Sequence, residues 1–251
     1  MERKLRSRVV VVNNRNKSQR LKIREAQKKV LIITDSRGKG ITDEINSRPS
    51  LASVKFDIKI LPGVKLNDIT QKIRTYSIYQ KYDLIVVVAG ICELTVKEVN
   101  QGLQILTYPG SDIQEIITKL NALRDTYGSN LILATITPAS LKKYFEHRNP
   151  TKQFPVEREE ELKSQQKALI EDIKEINSRI KESNAEANVT NIDLANLTQS
   201  RAIKYKFGRR HRTTKFTDKD LYDGVHSNSV LRKKWHKRTV DIIDKSLFNQ
   251  N

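Results

Sequence analysis

Residues 83–90 read DLIVVVAG, and no other stretch limits the fold so strongly. A strand that is apolar on both faces has to be covered on both, as at the centre of a parallel sheet. Neighbouring segments agree. VLIIT (30–34) is a short strand of the buried type. SVKFDIKIL (53–61) alternates, is rich in β-branched residues and stops at Pro62-Gly63. NLILATITP (130–138) is a fourth strand, halted by Pro138, and NVTNIDL (188–194) is a fifth. Helical periods separate them. The first covers roughly 39–47. The second, 67–78, has Asn67 as its cap and Ile69, Ile73 and Tyr76 on one face. The third, 111–128, has Ser111 as cap and Gly128 as stop. A fourth, near 156–183, carries a stripe of Leu162, Leu169, Ile173, Ile176 and Ile180, and a last one covers roughly 228–247. Residues 195–222 read as a long polar, basic connection. This alternation predicts an α/β chain: a five-stranded parallel sheet with helices on both faces. Ligands of such sheets bind beyond the carboxyl ends of the strands. Segments 34–38, 62–64, 89–95, 136–140 and 194–226 are therefore where chemistry is expected.

The 251 residues suffice for one such domain. We read 28–251 as that domain and 1–27 as a basic arm, expected to be mobile in isolation. Residues 1–29 hold eleven lysines and arginines against Glu2 and Glu25. Residues 201–216 add seven with no acid, and RKKWHKR (232–238) surrounds the single tryptophan. A net charge of +18 distributed this way points to nucleic acid or another polyanion as partner. The candidate contacts are Arg3, Lys4, Arg6, Arg8, Arg20, Lys22 and Arg24 in the arm and Arg209, Arg210 and Arg212 in the second cluster. A solvated basic surface is the alternative. No apolar run approaches the ~20 residues of a membrane span. VVVV (9–12) is too short for a secretory signal. The expectation is an intracellular chain, cytoplasmic or nuclear, or one carried in a viral or mobile-element particle. The single cysteine, Cys92, excludes an internal disulfide and a multi-cysteine zinc site. No cofactor is implied. GKG (38–40) lacks the spacing of a phosphate loop, and no dinucleotide fingerprint follows the first strand.

The strand ends collect a distinctive set: Asp35 and Ser36 after the first, Gly63 after the second, Gly90, Cys92 and Glu93 after the third. Asp223 and His226 stand just before the last helix. A serine needs a base to take its proton, and a histidine oriented by a carboxylate is the common solution. Asp223 and His226, at i and i+3, can leave one tight turn pointing the same way. Backbone N–H groups at Ser36 and Gly63 can donate to an oxyanion. Taken alone, Asp35-Ser36 reads more readily as a helix cap and Asp223-Gly224 as a turn; beside the other blocks the catalytic reading is the better one. Glu93 reads as a residue that orders its loop. His147, His211 and His236 have no metal-ligand spacing and are assigned no catalytic role. A metal held by Asp35, Glu93 and Asp223 at the sheet edge is the less favoured alternative.

In order and spacing these blocks resemble the SGNH (GDSL) hydrolases. Thr34-Asp35-Ser36 is similar to the Gly-Asp-Ser block, Gly63 in LPGVKLNDI to the second, and Gly90-Ile91-Cys92-Glu93 to the third, Gly-x-Asn-Asp. Asp223-Gly224-Val225-His226 matches Asp-x-x-His in full. The resemblance covers roughly 28–248. It implies a flavodoxin-like three-layer α/β/α sandwich and a serine esterase acting on a small ester. Ser36 would be the nucleophile, His226 the base and Asp223 its orienter. Ser36 and Gly63 would line the oxyanion hole, with Cys92 where the family's third donor, an asparagine, stands. A thiol is a weak donor. The resemblance therefore leaves two expectations: an esterase with a non-standard oxyanion hole, or a catalytically weak or inactive SGNH-fold protein that binds nucleic acid or serves a virus or mobile element structurally.

Overall fold

The computed structural model describes residues 27–79, 81–100, 102–206 and 209–248, with only the backbone course for residues 79 and 201–214. In chain order the elements are β1 (Lys29–Thr34), α1 (Ile41–Asn46), β2 (Lys55–Ile60), α2 (Leu66–Tyr79), β3 (Leu84–Val88), α3 (Ile91–Leu94), β4 (Val96–Asn100) and β5 (Leu103–Thr107). Then follow α4 (Ile113–Tyr127), β6 (Leu131–Leu133), α5 (Leu141–Arg148), α6 (Glu159–Glu186), β7 (Gln199–Lys206), β8 (Arg209–Phe216) and α7 (Ser229–Phe248). The central sheet is parallel in the order β2-β1-β3-β6.

The period of two along these strands sorts the core into two layers. Leu31, Ile33, Ile85, Val87, Leu131 and Leu133 face one side with Ile69 and Ile73 of α2, Leu120 and Leu123 of α4, and Ile173 and Ile176 of α6. Val30, Ile32, Leu84, Val86 and Ile132 face the other with Ile41 and Ile45 of α1 and Leu231, Trp235 and Ile243 of α7. The result is a three-layer α/β/α sandwich, as the apolar run at 83–90 required. Trp235 is buried in the second layer, and the cations around it are exposed on the outer face of α7. No helix among the described residues is long and apolar enough to cross a membrane.

The fifth expected strand is reduced to one parallel bridge, Ala134 to Ile192. The cause is a competing partner. Two asparagines of α6, seven residues apart, occupy the free edge of β6. Asn177 Oδ1 accepts from Ile136 N at 2.7 Å, and its Nδ2 donates to Ile136 O at 2.9 Å. Asn184 Nδ2 donates to Leu133 O at 2.8 Å. Side-chain amides thus satisfy edge groups that a long fifth strand would have paired.

Other boundaries move for local reasons. Asp112, not Ser111, caps α4, accepting from Glu115 N at 2.9 Å. The helix containing Asn67 begins one residue earlier, and Glu93 takes the cap's place by accepting from Leu66 N at 3.0 Å. Lys119 Nζ holds the other oxygen of Glu93 at 3.0 Å, so this residue does order its loop. The connection at 195–222 contains the antiparallel hairpin β7–β8. Two further elements, the hairpin β4–β5 and the helix α5, stand in stretches to which the sequence reading assigned no element.

Candidate active site

β1 lies between β2 and β3, so the switch in strand order falls at its carboxyl end. Leu61 N donates to Thr34 O at 2.7 Å from one side, and Asp35 N donates to Val88 O at 3.3 Å towards the other. The segments after β2 and β3, which carry Gly63 in a loop and Cys92 in α3, therefore flank Ser36.

Ser36 opens a single 3-10 turn, Ser36–Gly38. Asp35 caps it, accepting from Arg37 N at 2.9 Å. The cap and the candidate nucleophile are thus adjacent residues with separate tasks. Arg37 folds back as a buried ion pair, its Nη2 2.5 Å from Asp35 Oδ2, and its Nη1 donates to Thr137 Oγ1 beyond β6. Burial opposes the charge on Arg37, and the Asp35 carboxylate outweighs it, holding the guanidinium above its ordinary value. Nothing in the spacing of Asp-Ser-Arg announced this lock.

Thr34 stands where the family block has glycine, and the structure shows what accommodates it. A Cβ built on Gly38 would lie 2.1 Å from Thr34 Cγ2. The threonine side chain fills the space that glycine vacates four residues later. Gly38→Ala is therefore expected to cost about 1–3 kcal/mol of stability, as overpacking does. Thr34→Gly in the same chain should recover part of the loss. Denaturant unfolding of the two single variants and the double variant reads this coupling, and strict additivity would refute it.

Asp223 and His226 leave one turn. Asp223 Oδ1 accepts from Val225 N at 3.0 Å and from His226 N at 2.7 Å. Its Oδ2 lies 2.7 Å from His226 Nδ1. Burial disfavours the ionised carboxylate, but the bonds from the His226 ring and the two backbone N–H groups prevail and hold Asp223 well below the usual range. An ionised Asp223 fixes the proton on Nδ1, which leaves Nε2 as an acceptor. Ser36 Oγ lies 2.7 Å from that Nε2. The turn is held against α5: Ser140 N donates to Gly224 O at 2.7 Å. Gly224 has φ +83°, and a Cβ there would come within 2.4 Å of Ser140 O and Tyr144 N. Only glycine permits that approach.

Gly63 is exposed with φ +75°. Its N–H faces the sulfur of Cys92, which is half-buried. Burial, then the charge of Asp35, pushes the Cys92 thiol up, against the pull of Arg37, Lys97 and the Gly63 N–H. Among the described residues Ser36 N–H has no acceptor within the protein. It is thus available to a ligand. Of the expected backbone donors, the Ser36 N–H is open and the Gly63 N–H is directed at the Cys92 sulfur.

Asp35, Glu93 and Asp223 do not converge: each has its own partner, and no group of three or more His, Cys, Asp or Glu among the described residues could hold a metal. His236 is buried, not in polar surroundings as its basic neighbours suggested, and its Nε2 lies 3.3 Å from Arg37 O. His147 stacks edge-on against Tyr222, ring centroids 4.7 Å apart. Arg3, Lys4, Arg6, Arg8, Arg20, Lys22 and Arg24 lie outside the described residues, as do the side chains of Arg209, Arg210, Arg212 and His211. A cleft of about 390 Å³ opens over Ser36 and His226, walled by Tyr222, Asn228 and Arg232. A larger groove of about 520 Å³ between α6 and Phe216 includes Ser140, whose hydroxyl donates to Asp218 at 2.7 Å, and no histidine lines it.

No family model and no curated protein matches the chain. Solved structures do. A lipase/acylhydrolase from Enterococcus faecalis is similar with a TM-score of 0.57 at 18% identity, over 86% of this chain and 95% of that one. A GDSL-like lipase from Bacteroides thetaiotaomicron gives 0.55 at 13% identity, over 90% of each chain. The acetylxylan esterase Axe2 from Geobacillus stearothermophilus gives 0.53 at 13%, over 86% of this chain and 94% of that one. The chain has the three-layer fold of the GDSL hydrolases.

Proposed function

We propose that this chain is an SGNH-type serine hydrolase that cleaves a carboxylic ester. One observation carries the reading: Ser36 Oγ, His226 and Asp223 form an unbroken relay with both contacts at 2.7 Å. Ser36 Oγ attacks the acyl carbon while His226 Nε2 takes its proton. The negative charge that gathers on the carbonyl oxygen is met by the N–H groups of Ser36 and Gly63. Collapse of the tetrahedral species expels the alcohol, which receives the proton from Nε2. A water, deprotonated by the same nitrogen, then releases the acid and frees Ser36. Asp223 stays ionised throughout and keeps the ring in register.

A fluorophosphonate probe tests the assignment. Labelling of the intact chain and its loss in Ser36→Ala are expected, together with hydrolysis of short acyl esters. A chain that neither reacts with the probe nor turns over such esters is not a serine hydrolase.

A second proposal, contact with nucleic acid or another polyanion, is favoured by the net charge of +18 alone. Binding by counterion release weakens steeply with salt. Nucleic-acid affinity with no salt dependence, or none at low salt, would remove it.

A further inference from the structure

The cleft over Ser36 carries a charge imbalance that the hydrolytic relay does not use. Its lining includes three cations, Arg37, Lys39 and Arg232, and one acid, Asp223. Asp35 neutralises Arg37, and Asp223 is committed to His226. Lys39 and Arg232 are both exposed, and among the described residues neither is paired with an acid. Lys39 stands three residues after the nucleophile, at the end of its turn. Arg232 lies in the first turn of α7, whose N-terminal residue Ser229 lines the same wall. The positive end of that helix dipole adds to the field of the two side chains.

We infer that Lys39 and Arg232 are specificity-determining residues that select an anionic ester, one bearing a carboxylate, sulfonate or phosphate a few bonds from the scissile carbonyl. The inference rests on the hydrolase reading and names its substrate class. Two open cations flanking one cleft raise the local concentration of an anion and hold it by charge-assisted hydrogen bonds. Each such exposed pair is worth a few-fold, so together they give roughly tenfold selectivity. The anion belongs either to the acyl group or to the alcohol, and the test separates the two.

The measurement is kcat/KM for two matched pairs. Monosuccinate against butyrate 4-nitrophenyl esters places the charge on the acyl side. Acetoxybenzenesulfonate against 4-nitrophenyl acetate places it on the alcohol side. Lys39→Gln/Arg232→Gln should lower the anionic-to-neutral ratio about tenfold in one pair at least. Intrinsic ester reactivity cancels in the comparison with the unsubstituted chain. Salt at about 0.5 M should lower the ratio in the unsubstituted chain, because exposed charges are screened. Lys152→Gln, outside the cleft, should leave the ratio where it was. A ratio that the double substitution does not move in either pair overturns the inference. Calorimetric binding of the same esters to Ser36→Ala reads the preference without turnover. Tighter binding of an anionic ester, lost on adding the double substitution, supports the inference even where no hydrolysis occurs, an outcome that would sink the hydrolase reading alone. Equal binding of both esters of each pair overturns the inference whether or not the chain hydrolyses them.

Discussion

Replacing His226 with alanine is expected to lower kcat on a short acyl ester on the order of 10⁴- to 10⁶-fold, with little change in KM. The imidazole acts on the proton of Ser36 in the transition state, so its loss falls on kcat and not on substrate binding. Its Nε2 is 2.7 Å from Ser36 Oγ, and no other base among the described residues is bonded to that oxygen. Because the two residues act as one unit, Ser36→Ala and the double variant should be about as slow as His226→Ala. Asp223→Asn should also cost on the order of 10⁴-fold, since an amide can hold the ring in the wrong tautomer. The carboxylate itself sets no pH limit near neutrality. Its pKa is depressed from 3.8 by the bonds from His226 and Val225, which outweigh burial. A depressed carboxylate contributes stability that is present above its unfolded value and lost as pH falls through its folded one. Thermal unfolding between pH 7 and 5 should therefore show no loss traceable to Asp223, and Asp223→Asn should narrow the difference between neutral and strongly acid conditions. Initial rates on purified variants decide the matter. A His226→Ala protein within tenfold of the parent would overturn the relay.

How much of this was legible in the chain follows from the range of the contacts. The sheet was readable because a strand buried on both faces shows itself as an uninterrupted apolar run, as at 84–88. Asp223 and His226 were readable because their geometry is made by one turn and three residues of sequence. What escaped depends on side chains reaching distant main chain. β4 is exposed along its whole length, so its residues show no alternation to detect. α5 has a helical stripe only one turn deep, Leu141, Tyr144 and Phe145, and its cap, Ser140, matters because Asp218 accepts from its hydroxyl at 2.7 Å. Asn177 and Asn184 sit on an otherwise apolar stripe of α6 and are polar for the sake of β6. The reciprocity of Thr34 and Gly38 is local in sequence, but it reads as a motif departure until the close approach of the two residues is seen.

The largest expected gain lies at Cys92. Cys92→Asn is expected to raise kcat about 10- to 100-fold, with KM changed by less than about twofold. Removing one oxyanion donor from a well-studied protease costs about 2.7–4 kcal/mol, on the order of 100- to 1000-fold in rate. The chain stands on the unfavourable side of that difference. Burial and the Asp35 carboxylate keep the thiol protonated, so it offers one weak S–H donor, while its sulfur draws the N–H of Gly63. An amide at the same place presents a stronger N–H and leaves Gly63 free for the substrate oxygen. The gain should fall short of the full cost of a deleted donor, because this loop packs around sulfur and not around a planar amide. Cys92→Ala separates the two effects: it removes the weak donor and also the acceptor that engages Gly63, so a rate near that of the parent is expected. A folded Asn variant, with unfolding unchanged and rate unchanged, would mean that residue 92 does not face the developing charge. The oxyanion would then be held by the backbone of Ser36 and Gly63 alone, and the departure at Cys92 would be one of packing.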